Sequence, residues 1–418
     1  MREDIKKRIE AVRAGKVPAN YKRTDSGIMP EEWVDSTVGD IIEFYNEKST
    51  INNEYPVLTS ARSGLVLQTE YFEGQVTREE NAGYNVMPYG YITYRSRSDD
   101  GRFTFNQNTV VSKGIVSCFY PVFCVKEESA VSEFVLSYLN NCLGRQIVKE
   151  IVGTSQLVLS EKKLSELRMP CPPFAEQQKI AVILATCDRV IELKQQLLEE
   201  KRRQKQWLMQ KLLSESSAVD EIPLSNLCST ICDGDWIESK DQSESGIRLI
   251  QTGNVGVGRY LDKEGRARYI SEDTFKKLNC TEVFAGDILL SRLPDPIGRA
   301  CMVPNLSTRA ITAVDCTILS FKDTDVPEFF LQYATSNEYF NKISILAGGS
   351  TRTRISRKEI EKLLIPVPTS KMAMQKISKG LSLADQEISS LEQELEAWQQ
   401  KKKALMQLLL TGLVRVNA

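Results

Sequence analysis

The stretch that decides the fold is EQQKIAVILATCDRVIELKQQLLEEKRRQKQWLMQKLL at residues 176–213, because a related stretch, MQKISKGLSLADQEISSLEQELEAWQQKKKALMQLLL, occupies residues 374–410. Steps of four and three residues from Ile180 follow an apolar seam with the 3.5-residue periodicity of a coiled coil. The same seam begins again at Ile377, an offset of 197 residues. The chain is therefore predicted to contain two long helices in one shared register.

The segments that precede the two helices are duplicated as well. Residues 160–172 are Ser-x3-Leu-x2-Leu-x2-Pro-x-Pro, and residues 356–368 are Ser-x3-Ile-x2-Leu-x2-Pro-x-Pro. The prolines cannot extend a helix, so they favour an extended entry into the helix that follows. Upstream of each copy, short β-type runs such as 89–94 and 247–250 alternate with turn residues. This pattern predicts two paralogous mixed domains.

The predicted fold class is α+β, with two paralogous mixed α/β domains separated by two long antiparallel coiled-coil helices in a pseudo-twofold arrangement. The predicted parts are an N-terminal helical appendage at 1–30, a first domain at 31–174, a first helix at 175–217, a second domain at 218–369 and a second helix at 370–418.

Lysines within the seams favour antiparallel helices. In a parallel pair in register, Lys205 would face Lys402, and two ammonium groups would meet at a core layer. In an antiparallel pair with flush ends, Lys205 faces Ala384, Lys402 faces Cys187 and Lys201 faces Ile388, which leaves room for each lysine to reach solvent. Forty helical residues span about 60 Å, which equals about 18 base-pair steps of duplex DNA.

Composition excludes several classes of protein. The 418 residues carry a formal net charge of −1, which argues against a general polyanion binder. The ten cysteines are scattered without a CxxC pair, so neither a zinc site nor a secreted disulfide framework is predicted. No apolar run of about 18 residues is present, and residues 1–8 lack the apolar stretch of a signal peptide. We expect a cytoplasmic protein with no membrane partner.

No catalytic or metal-binding residue is predicted. The chain contains no histidine, which removes the commonest general base and metal ligand. Residues 253–258 are glycine-rich but lack both the Lys-Ser/Thr of a P-loop and the GxGxxG order of a dinucleotide site, so a β-turn is predicted there. Residues 295–298 resemble part of an adenine methyltransferase motif but lack its second proline and its aromatic residue. The chain is expected to bind, and catalysis to belong to a partner.

The helices resemble a known family. Residues 174–181, FAEQQKIA, with Asp188, and the endings LMQKLL at 208–213 and LMQLLLTG at 405–412 are similar to the two helical spacer regions of DNA specificity (S) subunits of type I restriction-modification systems. The resemblance covers the whole chain. It implies that each mixed domain is a target recognition domain for one half of a bipartite, gapped site in double-stranded DNA. It also implies that the helices set the gap and bind two methyltransferase (M) subunits, which restriction (R) subunits join.

The same resemblance implies no cofactor in this chain. S-adenosylmethionine would belong to the methyltransferase partner, and ATP and Mg to the restriction partner. Two departures concern the helix ends, where residues 369–373, TSKMA, replace the FAEQQ of the first copy and Ser214-Glu215 replaces Thr411-Gly412. Either departure would affect the contact with one M subunit.

Candidate DNA-binding side chains are basic or amide residues beside turn residues. At an offset of 196, residues 348–354 correspond to 152–158, which puts Arg352 opposite Gln156. Arginine suits guanine and glutamine suits adenine in the major groove, so the two domains would read different half-sites. The alternative is that Arg352 and Arg354 contact phosphates or solvent. The predicted DNA-binding residues are Tyr94, Arg95, Arg97, Arg102, Ser155, Gln156, Arg292, Thr351, Arg352 and Arg354.

Two other functions stay open at this point. One is a coiled-coil scaffold that joins two protein-binding domains, and the other is a methyltransferase fused to its own specificity module. The basic run at 201–205 is compatible with a solvated helix face or with a contact to the spacer duplex. Salt-dependent binding to duplex DNA would distinguish a DNA-reading subunit from a scaffold.

Overall fold

The computed structural model describes residues 3–62, 64–71, 80–150, 157–214, 219–348 and 353–416. The chain divides into two units, residues 1–193 with 395–418 and residues 194–394. Each unit contains one mixed domain and part of each long helix.

The elements up to the end of the first long helix are given in chain order. They are α1 Glu3–Arg13, β1 Tyr21–Thr24, β2 Gly27–Pro30, β3 Val34–Thr37, α2 Val38–Ile41, β4 Ile42–Tyr45, β5 Leu58–Ala61, β6 Gly64–Leu67, α3 Gln68–Tyr71, β7 Asn85–Pro88, β8 Ile92–Tyr94, β9 Arg97–Ser98, β10 Phe105–Gln107, β11 Lys113–Val116, β12 Val122–Val125, α4 Ser132–Asn141, α5 Gly144–Glu150, β13 Leu157–Val158, α6 Glu161–Glu166, β14 Arg168–Cys171 and α7 Phe174–Ser214.

The remaining elements follow the same plan, with three short 3-10 turns at Ser239–Asp241, Thr252–Asn254 and Glu264–Arg266. They are β15 Val219–Pro223, α8 Leu224–Leu227, β16 Cys228–Asp233, β17 Ile247–Ile250, β18 Arg268–Ile270, α9 Glu272–Leu278, β19 Glu282–Val283, β20 Ile288–Ser291, β21 Ala300–Met302, β22 Ala310–Thr312, β23 Cys316–Phe321, α10 Val326–Tyr333, α11 Asn337–Leu346, α12 Arg357–Lys362, β24 Leu364–Pro368 and α13 Lys371–Leu410.

The same antiparallel sheet of four strands is built in both domains. Its order is β4-β12-β8-β10 in the first domain and β16-β23-β20-β21 in the second. Strands β8 and β20 begin at Ile92 and Ile288, which are 196 residues apart, as the sequence repeat requires. The predicted α+β class and the paralogy of the two domains are confirmed.

The repeated segment at 160–172 and 356–368 has the same structure in both copies. Ser160 and Ser356 are N-caps, and each hydroxyl accepts a hydrogen bond of 3.3 Å from a main-chain N–H three residues later. Pro170 then lies in β14, and Pro366 and Pro368 lie in β24. These strands form two-stranded sheets with β3 and β15. A two-stranded sheet tolerates proline because one side of each strand carries no ladder of hydrogen bonds.

Both long helices contribute to both cores. In the first unit, Ile180 and Leu184 of α7 and Leu409 and Leu410 of α13 belong to the cluster that surrounds the aromatic core of the first domain. In the second unit, Met209 of α7 packs with a set from α13 against the second core. That set is Met374, Ile377 and Leu381. Neither domain completes its core from its own sequence neighbourhood alone.

The antiparallel pairing of α7 with α13 is confirmed within each unit. In the second unit, Lys205 Nζ lies 2.6 Å from an Asp385 oxygen, and Lys201 Nζ lies 2.7 Å from Glu387. In the first unit, Lys402 forms an ion pair with Asp188. The acceptors are direct neighbours of the residues predicted to face these lysines, so each lysine leaves the seam sideways and ends at a carboxylate.

The basic run at 201–205 is used by the helices themselves. Lys201, Arg202 and Lys205 pair with carboxylates of α13, with Arg202 at 2.7 Å from Glu392. Arg203 lies 3.7 Å from Glu199 on its own helix. Lys201, Arg202 and Lys205 therefore contribute to the pairing of the two helices. The sequence alone had suggested only a solvated helix face or a contact with DNA for this run.

The N-terminal segment is more than the predicted appendage, because its hairpin β1-β2 and helix α1 contact the last residues of the chain within the first unit. Tyr21 Oη donates a hydrogen bond of 2.6 Å to the Gly412 carbonyl, and Arg8 donates one of 3.0 Å to the Leu413 carbonyl. Gly412 has a φ of 69°, and a Cβ there would lie 2.5 Å from Pro30. Glycine is required at this close approach.

A buried ion pair reinforces this contact. Glu176 is 1% exposed, and its carboxylate accepts hydrogen bonds of 2.7 and 2.8 Å from Arg415 and one of 3.1 Å from Trp33 Nε1. At the offset of 197, the second helix has Ala373 in place of Glu176. The departure between the two helix starts therefore corresponds to an ion pair that only the first unit has.

We predict that Arg415→Met destabilises the first unit by about 3 kcal/mol or more, because it leaves a buried carboxylate without its cation. Hydrogen exchange of residues 8–33 would report the loss as faster exchange. The exposed Lys403→Met is the matched control. Equal exchange in the two variants would show that the Glu176–Arg415 pair adds no stability.

Candidate nucleic-acid interface

In each domain, main-chain hydrogen bonds join a segment that carries predicted DNA-binding arginines to a later part of the chain. In the first domain, β9 pairs antiparallel with β13, with Arg97 opposite Val158. The Leu159 N–H donates a hydrogen bond of 3.0 Å to the Ser96 carbonyl. The segment that carries the predicted arginines is thus joined to the chain that leaves residues 151–156.

The second domain has the equivalent main-chain contact. Ile355 N–H donates a hydrogen bond of 3.3 Å to the Arg292 carbonyl, and both residues lie 196 positions after their counterparts Leu159 and Ser96. Gly348 and Arg354 exchange main-chain hydrogen bonds of 3.2 and 3.0 Å. These bonds tie residues 348 and 354 together at the base of the segment between them.

Four predicted residues, Ser155, Gln156, Thr351 and Arg352, lie outside the described residues. The residues on either side of them, at 150, 157, 348 and 353, are described.

The predicted residues of the first domain differ in exposure. Tyr94 has no exposed surface, and its hydroxyl donates a hydrogen bond of 3.1 Å to the Leu159 carbonyl. Burial raises the pKa of this hydroxyl well above its ordinary value. Tyr94 is therefore a core residue. It stabilises the position of Leu159 and presents no surface to DNA.

Three arginines between β8 and β10 are exposed. They are Arg95, Arg97 in β9 and Arg102. The Arg97 guanidinium lies 4.6 Å from the centre of the Phe119 ring, which orients it without neutralising its charge. On the same loop, the Arg102 main-chain N–H, the Arg62 side chain and the Ser98 hydroxyl hold the pKa of Asp100 at about 2. The Asp100 carboxylate forms an ion pair of 2.6 Å with Arg62. The positive charge of Arg62 is therefore balanced by Asp100.

The two described arginines of the second domain that were predicted to bind DNA, Arg292 and Arg354, differ in exposure. The Arg292 side chain is 8% exposed and donates hydrogen bonds of 3.0 Å to Asp233 and 2.7 Å to the Val314 carbonyl. Burial lowers the pKa of the Arg292 guanidinium, and the Asp233 carboxylate opposes that shift. Arg354 is more exposed and lies 2.9 Å from Asp315. Arg292 therefore has a structural role here, whereas Arg354 keeps an accessible guanidinium.

Sequence reasoning missed the two carboxylates that organise this edge. Asp233 ends β16 and Asp315 immediately precedes β23. Asp233 also accepts a hydrogen bond of 3.0 Å from Thr317 and lies 3.8 Å from Arg357. In the sequence, each of these two residues is only an aspartate at a strand end that is followed by glycine or cysteine. This pattern does not distinguish them from ordinary surface aspartates.

Arg299 is a second internal arginine, and it joins the glycine-rich turn to the loop after β20. Its guanidinium lies within hydrogen-bond distance of five main-chain carbonyls, with separations from 2.7 to 3.0 Å. These belong to Thr252, Val255, Leu293, Pro294 and Pro296. The turn predicted at 253–258 is present, with Gly256 N–H donating to the Arg259 carbonyl at 3.0 Å. The turn is a structural feature held by Arg299.

No group of three or more Cys, Asp or Glu side chains is arranged to hold a metal ion in the described ranges. Among those residues, no helix is long and apolar enough to cross a membrane.

Comparison with known proteins identifies one family. The family model for the type I restriction modification DNA specificity domain matches residues 30–201 and 224–397. The type I restriction enzyme MjaVIII specificity subunit of Methanocaldococcus jannaschii is 23% identical over 430 aligned residues, which cover 95% of this chain and 96% of that protein. The putative MjaX specificity subunit of the same organism is 25% identical over 439 aligned residues, at 95% and 97% coverage.

Two solved structures share the fold. One, described as showing complex assembly and conformational transition of the type I R-M system, has a TM-score of 0.59 at 15% identity and covers 92% of this chain and 99% of its own. The other is the S subunit of a type I restriction-modification system from M. genitalium, with a TM-score of 0.54 at 15% identity and coverages of 94% and 97%.

We predict that Arg299→Met lowers the stability of the second unit by about 3 kcal/mol, because five main-chain carbonyls lose a charged donor. Calorimetry would detect this as a lower midpoint for one unfolding transition. The exposed Arg266→Met is the matched control and should leave both transitions in place. A normal midpoint for Arg299→Met would mean that water replaces the guanidinium without cost.

Proposed function

Because this chain belongs to the type I restriction modification DNA specificity family and is a specificity subunit that recognises DNA sequence, we propose that each domain reads one half of a bipartite, gapped site in double-stranded DNA. The observation that carries this proposal is the duplicated edge. The pairs Leu159–Ser96 and Ile355–Arg292 make the same main-chain bond, and each bond lies beside a segment with predicted base-reading residues.

The two domains share a main-chain structure but differ in their side chains. Such a pair of domains is suited to a DNA site whose two halves have different sequences. At the matched position the first segment has Gln156 and the second has Arg352. Glutamine pairs with adenine and arginine with guanine in the major groove. We assign these two residues to base contacts in different half-sites.

Phosphate contacts would come from different places in the two domains. In the first domain, Arg95, Arg97 and Arg102 are exposed, and no ion pair is recorded for these three side chains in the described part of the chain. In the second domain, the Arg354 guanidinium is accessible to solvent and is paired with Asp315. On binding DNA, Arg354 would contact a phosphate in place of Asp315. Such contacts position a protein on DNA without reading its sequence.

The outer face of α7 supports binding of the methyltransferase subunits. Val182 and Leu193 in the first unit and Leu197 and Trp207 in the second are exposed apolar residues. At about 100° per residue, the two residues of each unit fall within about 80° of each other, on the side of the helix away from the buried seam residue of that unit, Ile180 or Leu198. A partly exposed apolar stripe on a paired helix is suited to a protein partner.

We propose that two M subunits bind the helices and that R subunits join the same complex. S-adenosylmethionine would then act in the M subunits, and ATP and Mg in the R subunits, with no cofactor bound by this chain. The protein itself would be non-catalytic. The scaffold alternative predicts no preference for one duplex over another.

The first experiment compares the methylomes of the source cell with and without this gene. Loss of one gapped adenine-methylation motif is expected. Purified protein with its M subunits should also bind a duplex with that motif, with an affinity that falls as salt rises. A methylome without any change, together with no methylation by the purified complex, would favour the scaffold.

We predict that Arg352→Ala relaxes one half of the methylated motif and that Gln156→Ala relaxes the other, by about 1–3 kcal/mol of discrimination at one base pair each. Methylome sequencing of cells with each variant measures this directly. The exposed Lys358→Ala on α12 is the control and should leave the motif unchanged. If neither substitution alters the motif, these residues contact phosphate or solvent.

We predict that Trp207→Ala weakens binding of an M subunit by about tenfold or more, since tryptophans dominate the energy of protein interfaces. Trp207 is 58% exposed in the free chain. Glu200→Ala, on the same exposed side of α7, is the matched control. Binding is measured by titrating purified M subunit, and equal affinities would remove Trp207 from the interface.

A further inference from the structure

Trp236 is a large apolar side chain that the second domain leaves in solvent. It is 71% exposed, whereas Trp33 is fully buried. It follows β16 by three residues and lies before the short turn at Ser239–Asp241. Among the described residues, Trp236 belongs to none of the buried apolar clusters of the second unit.

The main chain on the N-terminal side of Trp236 is firmly held. Gly234 lies so close to the Thr312 carbonyl that a Cβ would come within 2.4 Å of it. Asp235 N–H donates to the Thr312 carbonyl at 2.9 Å, and the Asp235 carboxylate accepts from Thr281 N–H at 2.8 Å. An exposed indole on an anchored main chain loses little conformational entropy when it binds, which favours a role in recognition.

The residues just before Trp236 are hydrogen-bonded to the part of the domain that also contacts Arg292 and Arg354. The Asp235 carbonyl accepts a hydrogen bond of 2.9 Å from Val314 N–H. The next residue, Asp315, forms the ion pair with Arg354. Asp233, two residues before Asp235, binds Arg292, whose carbonyl accepts from Ile355. The tryptophan and the predicted base-reading segment therefore start from one edge.

The surroundings of the indole are suited to DNA. An open depression of about 490 Å³ lies beside Trp236 and has a mixed lining of apolar, polar, anionic and cationic side chains, which are Ile237, Glu238, Ser239, Lys240, Gln242, Gln251 and Arg268 besides Trp236 itself. Lys240 lies 2.7 Å from Glu238. Arg268 is exposed, with no ion pair recorded for it in the described ranges. Amide and guanidinium groups around an aromatic face are typical of nucleic-acid contacts.

The first domain has no equivalent residue. The offset of 186 that relates Ile42 of β4 to Cys228 of β16 places Thr50 at the position of Trp236. Any contact made by the indole is therefore specific to the second domain.

We propose that Trp236 is a DNA contact of the second domain, whose indole packs into a groove of the duplex at the half-site that this domain reads. The proposal rests on the DNA-reading function proposed above and adds to it a residue and a mode of contact. An apolar contact with the sugars and base edges of a groove tolerates many sequences, so Trp236 contributes affinity and fixes the position of the domain, while Arg352 selects the base.

The test uses the complex of this chain with its M subunits and three fluorescently labelled duplexes. One duplex has the motif found by methylome sequencing, and the other two have one half-site scrambled. Trp236→Ala should weaken binding to the full motif by about tenfold, and Trp236→Phe should restore most of it. Phe284→Ala, which removes an exposed aromatic elsewhere in the domain, should bind as the wild type does.

A second measurement gives the proposal its own readout. Trp236→Ala should lower the affinity for all three duplexes by a similar factor and leave the penalty for scrambling either half-site unchanged, because the contact does not select a base. Co-purification with M subunits should also be unchanged. If Trp236→Ala binds all three duplexes as the wild type does, or loses M subunits instead of DNA, Trp236 is not a DNA contact. If the wild-type complex itself binds the three duplexes equally, the proposed DNA-reading function fails first.

Discussion

The structure depends on one constraint, which is that each lysine in the helix seams must end at a carboxylate of the opposite helix. Lys205 reaches Asp385 in the second unit, and Lys402 reaches Asp188 in the first. A lysine buried at a helix interface without such a partner would pay a large desolvation penalty. The charges thereby select antiparallel pairing, and this pairing determines which half of α13 completes each core. Leu409 and Leu410 enter the first core, and Ile377 and Leu381 enter the second.

On this common frame the two domains carry different chemistry. The main-chain bond from Leu159 to Ser96 has its counterpart in the bond from Ile355 to Arg292. In the first domain, the residues after this point include exposed arginines, which leaves cationic charge at the surface. In the second domain, Arg292 is buried against Asp233. Duplication preserved the main-chain contact because a hydrogen bond between main-chain groups does not depend on the side chain, and this allowed the side chains to diverge.

The internal arginines show why a candidate site is harder to predict than a fold. Arg292 lies beside turn residues and was predicted to bind DNA, and Arg299 has a similar sequence context. Their true role depends on distant groups, since Asp233 is 59 residues from Arg292 and Val255 is 44 residues from Arg299. Tyr94 likewise bonds to Leu159, 65 residues later. No local pattern encodes such partners, whereas Arg95, Arg97 and Arg102 are exposed, as their polar loop suggested.

The sequence alone was sufficient to determine the duplication, the two long helices and their antiparallel pairing, because these follow from periodicity and from the spacing of charges along one dimension. The family was indicated by the resemblance of the helix starts and endings to known spacer helices. Only the tertiary structure decided which arginines are buried, which carboxylates neutralise them, and how Gly412 and Arg415 contact Pro30 and Glu176 in the first unit. It also showed that the indole of Trp236 is exposed on an anchored main chain. Burial and ion pairing arise from residues that are remote in sequence, so they appear only when the chain is folded.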